Sequence, residues 1–163
     1  MAWSSRLVSR LSRLRSLSAE ERAALGEAVA SLACVRVTLA LFPPARLARE
    51  LTDSGEATAI IDADRWAQCT RLERMVSVAG RLLPGTSTCL HRSIVLRRML
   101  ARRGLCARLR LGVRKSPDAF EAHAWVELAG RVLNDRADVA ERYVPLQGMV
   151  GAGGLPPRGA YST

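Results

Sequence analysis

Cys89, His123 and Asp135 are the residues of this chain whose types and order suit covalent chemistry. Cys89 stands in "TCLHRSIVL", where a helix is expected to begin, His123 in "EAHAWVEL", and Asp135 closes "RVLND". The thiolate is the reactive form of cysteine, and the unpaired N–H groups of a helix start stabilise negative charge. A histidine within hydrogen-bonding reach takes the thiol proton and returns it to a leaving amine. A carboxylate on a neighbouring strand holds the imidazole in one tautomer. The amide of Cys89, at the helix start, can also serve as an oxyanion donor. Taken singly, each residue has a plainer reading: Cys89 a core thiol, His123 a satisfied structural histidine, Asp135 a turn cap. Their joint order is one that a single helix and a single hairpin can assemble. It points to a cysteine hydrolase or transferase.

A zinc site would need Cys89, His91 and His123. Residues two apart on a helix point to nearly opposite sides, so Cys89 and His91 do not readily share an ion. The chain has two histidines and no C-x-x-C pair, so neither a metal nor a cofactor is expected. His91 reads as a polar neighbour of the nucleophile.

The elements that must position these residues follow from the pattern. "TSTCLHRSIVLRRMLARRG" reads as a helix with Leu90, Ile94, Leu96, Met99 and Leu100 as apolar positions and Gly104 at C′. "LCARLRLGV" alternates, with Leu105, Ala107, Leu109 and Leu111 on one side and Arg108 and Arg110 on the other, which predicts a strand. "RKSPDAFE" reads as a loop and "AHAWVEL" as a second strand. "AGR" is a tight turn into a third strand ending at Asp135, so a hairpin would bring His123 and Asp135 side by side.

Upstream, the reading is helical. Leu7, Leu11 and Leu14 fall at helical spacing among arginines, an amphipathic helix that packs or docks. Ser18 and Glu21 form a capping box for a helix reaching about Leu41, stopped by Pro43-Pro44. Within it, "AVASLACVRVTLALF" reads as a buried helix too short to span a bilayer. A short "ARLARELT" helix and a "SGEATAIID" linker follow. Trp66, Cys69, Leu72, Val76 and Ala79 then mark another helix, ended by Pro84-Gly85. The expected organisation is a helical region over 1–83, a catalytic core over 84–148 and a flexible tail over 149–163.

The 163 residues suit one domain with a real core, and 48% hydrophobic with 25% charged residues is a globular composition. The net charge is +10, carried almost wholly by arginine, since Lys115 is the only lysine. Such a balance favours acidic partners, including peptides whose carboxylates arginine pairs in bidentate fashion. A basic nucleic-acid-binding protein is the non-enzymatic alternative, but no recognition motif is present and aromatic residues are 4%. The N-terminus lacks an uninterrupted apolar core of the signal-peptide kind. A cytoplasmic, reducing setting is therefore expected, with four free cysteines of which Cys34, Cys69 and Cys106 pack in the interior.

"CLHRSIVLRRMLARRGLCARLRLGVRK" followed by "FEAHAWVELAGRVLND" resembles the lasso-peptide leader peptidases, which are transglutaminase-like cysteine proteases. The resemblance covers roughly residues 85–140 and rests on C-L-x-R-S, G-x-x-A-R-L-x-x-G-V-R-K, E-A-H-A-W-V-E and V-L-N-D. It implies an α+β fold, transglutaminase-like or papain-like, with the nucleophile helix packed on an antiparallel sheet. It implies Cys89 as nucleophile, His123 as general base and acid, and Asp135 as the orienting carboxylate. The reaction would cut the leader from a ribosomally made precursor peptide and free the core's N-terminal amine for a separate lasso cyclase. A small pocket near Cys89 would read the penultimate leader residue. Because residues 1–83 read as helices, the resemblance is to the split form, served by a separate leader-recognition protein, with no nucleic acid and no membrane contact. An acyl transferase of the transglutaminase type would use the same three residues. No glutamine of the papain type stands just before Cys89, so the sequence names no second oxyanion donor.

Overall fold

Helix starts in this chain are set by side chains that take up otherwise unpaired first amides. The computed structural model describes residues 16–41, 61–83, 88–115 and 120–146. The Leu7–Leu11–Leu14 helix, the "ARLARELT" helix, most of the linker after it, Pro84-Gly85 and the tail lie outside the described residues. Helix α1 runs Ala19–Leu41. Its capping box forms as expected: the Ser18 amide donates to Glu21 Oε2 at 2.9 Å, and the Glu21 amide to Ser18 Oγ at 3.1 Å. Helix α2, Ala63–Leu82, is capped by Asp62, whose Oδ1 accepts from the Arg65 amide at 2.7 Å. Helix α3, Cys89–Ala101, is capped by Thr88.

α3 ends as its glycine suggests. Gly104 has φ +72°, its amide donates to Ala101 O at 3.0 Å, and the Leu105 amide donates to Leu100 O at 3.1 Å. This bond pair is the Schellman arrangement, which needs a left-handed residue where Gly104 stands.

The strands are β1 (Arg108–Lys115), β2 (Phe120–Leu128), β3 (Arg131–Val132) and β4 (Val144–Pro145), with a one-turn helix α4 (Val139–Arg142) before the last. They form one antiparallel sheet in the order β3-β2-β1-β4. Ala129 and Gly130, at φ 49° and 75°, link β2 to β3, and Leu128 pairs with Arg131, a two-residue turn with both centres left-handed. The α+β class is as expected, but the strands differ in four ways. β1 begins only at Arg108, leaving Leu105 and Ala107 before it. β1 and β2 extend into "RKSPDAFE", taking in Arg114, Lys115, Phe120 and Glu121, with Arg114 Nη2 bonded to Glu121 Oε2 at 2.8 Å across the pair. β3 is only two residues, so Asp135 lies beyond the strand rather than at its end. β4 joins the far side of β1, pairing Gly112 with Pro145 and Val113 with Val144.

One core unites helices and sheet. Leu25, Leu32 and Val35 of α1 meet Leu72, Met75 and Val76 of α2, Ile94, Leu96 and Met99 of α3, and Ala124, Val126 and Leu128 of β2. The alternate β2 residue Trp125 is fully buried on the other face with Val139 and Tyr143. Only one stripe of α1 is buried, contrary to the buried helix expected, because α1 packs on α2 and α3 along one side and not on the sheet; Val37 and Leu41 are exposed. At 23 residues, with an 18-residue window of mean hydropathy 1.6, α1 is by length and composition long and apolar enough to cross a membrane, longer than the apolar stretch suggested. Its Glu27 instead pairs with Arg102 and Arg103 just after α3, at 2.9 and 2.8 Å. Of the cysteines expected inside, Cys69 is buried, whereas Cys34 and Cys106 are exposed because they fall off the apolar stripes of their segments.

Candidate functional site

Cys89 is the first residue of α3, and half-exposed. Thr88 Oγ1 accepts from the His91 amide at 3.4 Å and lies 2.5 Å from His91 Nδ1. His91 is therefore spent on the cap. Burial, with Arg36 nearby, pushes its imidazole below its ordinary pKa. The amides of the first helical residues have no intrahelical partner, and Cys89 is the first of them.

His123 stands on β2 opposite Gly112 of β1. Its ring stacks on Tyr143 with centroids 4.9 Å apart and neighbours Trp125 at 6.4 Å. His123 Nε2 is hydrogen-bonded to Asp135 Oδ2. Asp135 Oδ1 in turn accepts from the Arg136 amide at 2.7 Å and from Arg142 Nη2 at 2.9 Å. Arg142 and Arg136 also pair with Asp138. Because Nε2 faces the carboxylate, Nδ1 is the nitrogen left for a second partner.

Cys89, His123 and Asp135 line one pocket of about 70 Å³, with Glu73, Val76 and Ser77 of α2, Arg92 and Leu96 of α3, Ala124 and Asn134. A larger cavity of about 530 Å³ between α1 and α2 contains none of the three. Burial raises the Glu73 carboxyl above its ordinary range, against the pull of Arg81 and Arg92.

Burial would also raise the Asp135 carboxyl. The His123 bond, the Arg136 amide and Arg142 outweigh it and hold it below the ordinary value. A carboxylate with a lowered folded pKa adds stability that is complete above the unfolded value and lost as pH falls through the folded one. The stability gap between wild type and Asp135→Asn is therefore expected to be widest near neutral pH, on the order of 1–3 kcal/mol, and to close in strong acid. Circular-dichroism melts across that range check it; a gap independent of pH would contradict the assignment.

The polar residues that the sequence reading passed over are Ser93, Asn134, Arg142 and Tyr143. Ser93 is a polar residue on the apolar side of α3, one turn beyond Cys89, and Asn134 adjoins Asp135; both were visible as oddities of pattern. Arg142 and Tyr143 carry no such mark.

The family model described as transglutaminase-like superfamily matches residues 29–148, most of the chain. The chain belongs to the transglutaminase-like superfamily. The microcin J25-processing protein McjB of Escherichia coli is 41% identical over 56 residues, covering 34% of this chain and 26% of that protein. The match thus spans a minor part of that relative's length. No solved structure matches the chain. The superfamily match takes in the second half of α1, all of α2 and α3, and the sheet, so the helices that wall the pocket belong to the same unit as His123.

Proposed function

We propose that this chain is a cysteine peptidase that removes the leader from a lasso-peptide precursor. The observation that carries the reading is the His123–Asp135 bond inside a pocket that Cys89 lines at a helix start. The limited identity to McjB supports the substrate class.

In this mechanism Asp135 holds the proton on Nε2, so Nδ1 of His123 accepts the proton of the Cys89 thiol. The sulfur adds to the scissile carbonyl, and the Cys89 amide donates to the oxyanion. The C–N bond breaks as His123 returns its proton to the departing amine, which is the N-terminus of the core. Water, deprotonated by His123, then opens the thioester, releasing the leader as a carboxylic acid and restoring the thiol. The basic chain suits an acidic precursor or an acidic recognition protein that delivers it. The freed amine is the group a separate cyclase would consume.

The test is mass spectrometry of a lasso-peptide precursor, taken from beside this chain's gene, incubated with the protein. Wild type should yield one internal cut and Cys89→Ala none, with an unchanged melt. Adding an excess of a primary amine separates hydrolysis from acyl transfer: a leader ending in an amide rather than an acid would make the protein a transferase. Cleavage by Cys89→Ala would refute the reading.

A further inference from the structure

We propose that Ser93 and Asn134 are positioning residues that tie the Cys89 helix to the His123 strand and hold thiol and imidazole in register. The inference rests on the proposed function, since it concerns the same site.

Three hydrogen bonds run in one chain. The Val126 amide donates to Asn134 Oδ1 at 2.8 Å, Asn134 Nδ2 to Ser93 Oγ at 2.8 Å, and the Ser93 hydroxyl to Ala124 O at 3.0 Å. The Val126 N–H fixes which end of the Asn134 amide is oxygen, because a flipped amide would set donor against donor. Ser93 is the one buried polar side chain among the described residues, at 0% exposure, and both its hydrogen-bonding roles here are filled. A satisfied buried polar link is a geometric constraint, since moving either partner strands a group away from water.

Each end of the link adjoins a proposed catalytic residue. Ser93 lies one helical turn from Cys89 and on the same side of α3. Ala124 follows His123, and Asn134 precedes Asp135. The link also explains why β3 stops. The Leu133 amide still donates to Val126 O at 3.0 Å, but the Val126 amide turns to the Asn134 side chain instead of a strand carbonyl. With the ladder ended there, the chain is free to bend and send Asp135 to His123. Apolar packing of α3 on β2 would tolerate a slide of the helix by a fraction of an ångström; three directional bonds do not.

The test needs no peptide substrate. Iodoacetamide alkylation of Cys89 in the full chain is followed by mass spectrometry at pH 7, with the exposed Cys34 and Cys106 as references in the same digest. Wild type should react faster than His123→Ala. Ser93→Ala should slow Cys89 by about tenfold, the scale of a small misplacement of reacting groups, and leave the reference thiols unchanged. In a His123→Ala background, Ser93→Ala should cost nothing more, which a merely structural role would not produce. Asn134→Asp serves should Ser93→Ala fail to fold. It is isosteric, keeps the acceptor for Val126 and loses the donor to Ser93. Its added charge would by itself favour the imidazolium, so slower alkylation isolates the lost tether. Wild type faster than His123→Ala, with Ser93→Ala and Asn134→Asp both at the wild-type rate, would overturn the tether alone. Wild type and His123→Ala reacting alike would remove the thiol–imidazole pair and the tether with it.

Discussion

His123→Ala is expected to lower precursor cleavage by about 10²- to 10⁴-fold, the range that a positioned general acid–base supplies, while the protein still folds. The half-exposed ring contributes to stability chiefly through its stacking on Tyr143 and the Asp135 bond. Aromatic pairs of this kind are worth about 0.5–1.5 kcal/mol, a small part of the stability of a domain with a core spanning three helices and a sheet. Activity and stability should therefore part company. The loss should fall on thioester formation, because without Nδ1 nothing takes the thiol proton as the sulfur attacks. Single-turnover measurement of core-peptide release by mass spectrometry, beside a thermal melt, reads both quantities. Cleavage within twofold of wild type would mean that another group is the base, and Glu73 also lines the pocket.

Much of this site is legible in the sequence because its parts are local. The Ser18–Glu21 box and the left-handed Gly104 are each decided within a few residues and form as their residue types dictate; the Ala129-Gly130 turn is equally local, although Ala129 takes a left-handed φ that its Cβ disfavours. Cys89 at a helix start and His123 and Asp135 across one hairpin are likewise short-range facts. The residues that finish the site depend on contacts that no local pattern encodes. α4 and β4 fold back across β1, and only that return brings Arg142 to Asp135 and Tyr143 to His123. A two-residue strand with both residues exposed shows no alternation to read. β3 is shorter than its pattern predicts for a related reason. Pattern cannot show that the Asn134 side chain replaces a backbone acceptor, which is what ends the ladder. The exposed Cys34 and Cys106 make the same point from the other side: a thiol's usual burial is a tendency of the residue type, and the helix stripe or strand end it occupies decides.

Gly112→Ala is expected to destabilise the protein by about 1–3 kcal/mol, the usual cost of forcing atoms into a filled core, and to lower cleavage as well. Gly112 sits in β1 opposite His123 on one side and Pro145 on the other. Its backbone is ordinary, so the constraint is space rather than conformation. A Cβ there would stand 2.8 Å from Tyr143 Cβ and 2.9 Å from both Trp125 Cη2 and Cζ3. Neither neighbour yields easily. Trp125 is fully buried, and its Nε1 donates to Glu127 Oε1 at 2.8 Å; Tyr143 Cβ is attached directly to backbone. The softer of the two is the short α4–β4 return, held by two β-bridge pairs, so the strain should lift Tyr143 and Arg142 away from His123 and Asp135. Thermal melts and cleavage rates of Gly112→Ala, Trp125→Phe and the double variant check this. Trp125→Phe removes two of the three close approaches, so the double variant should be more stable than the two single losses added together. Additive losses would place the strain elsewhere, and full activity in Gly112→Ala would show that the Tyr143 stacking does nothing for the imidazole.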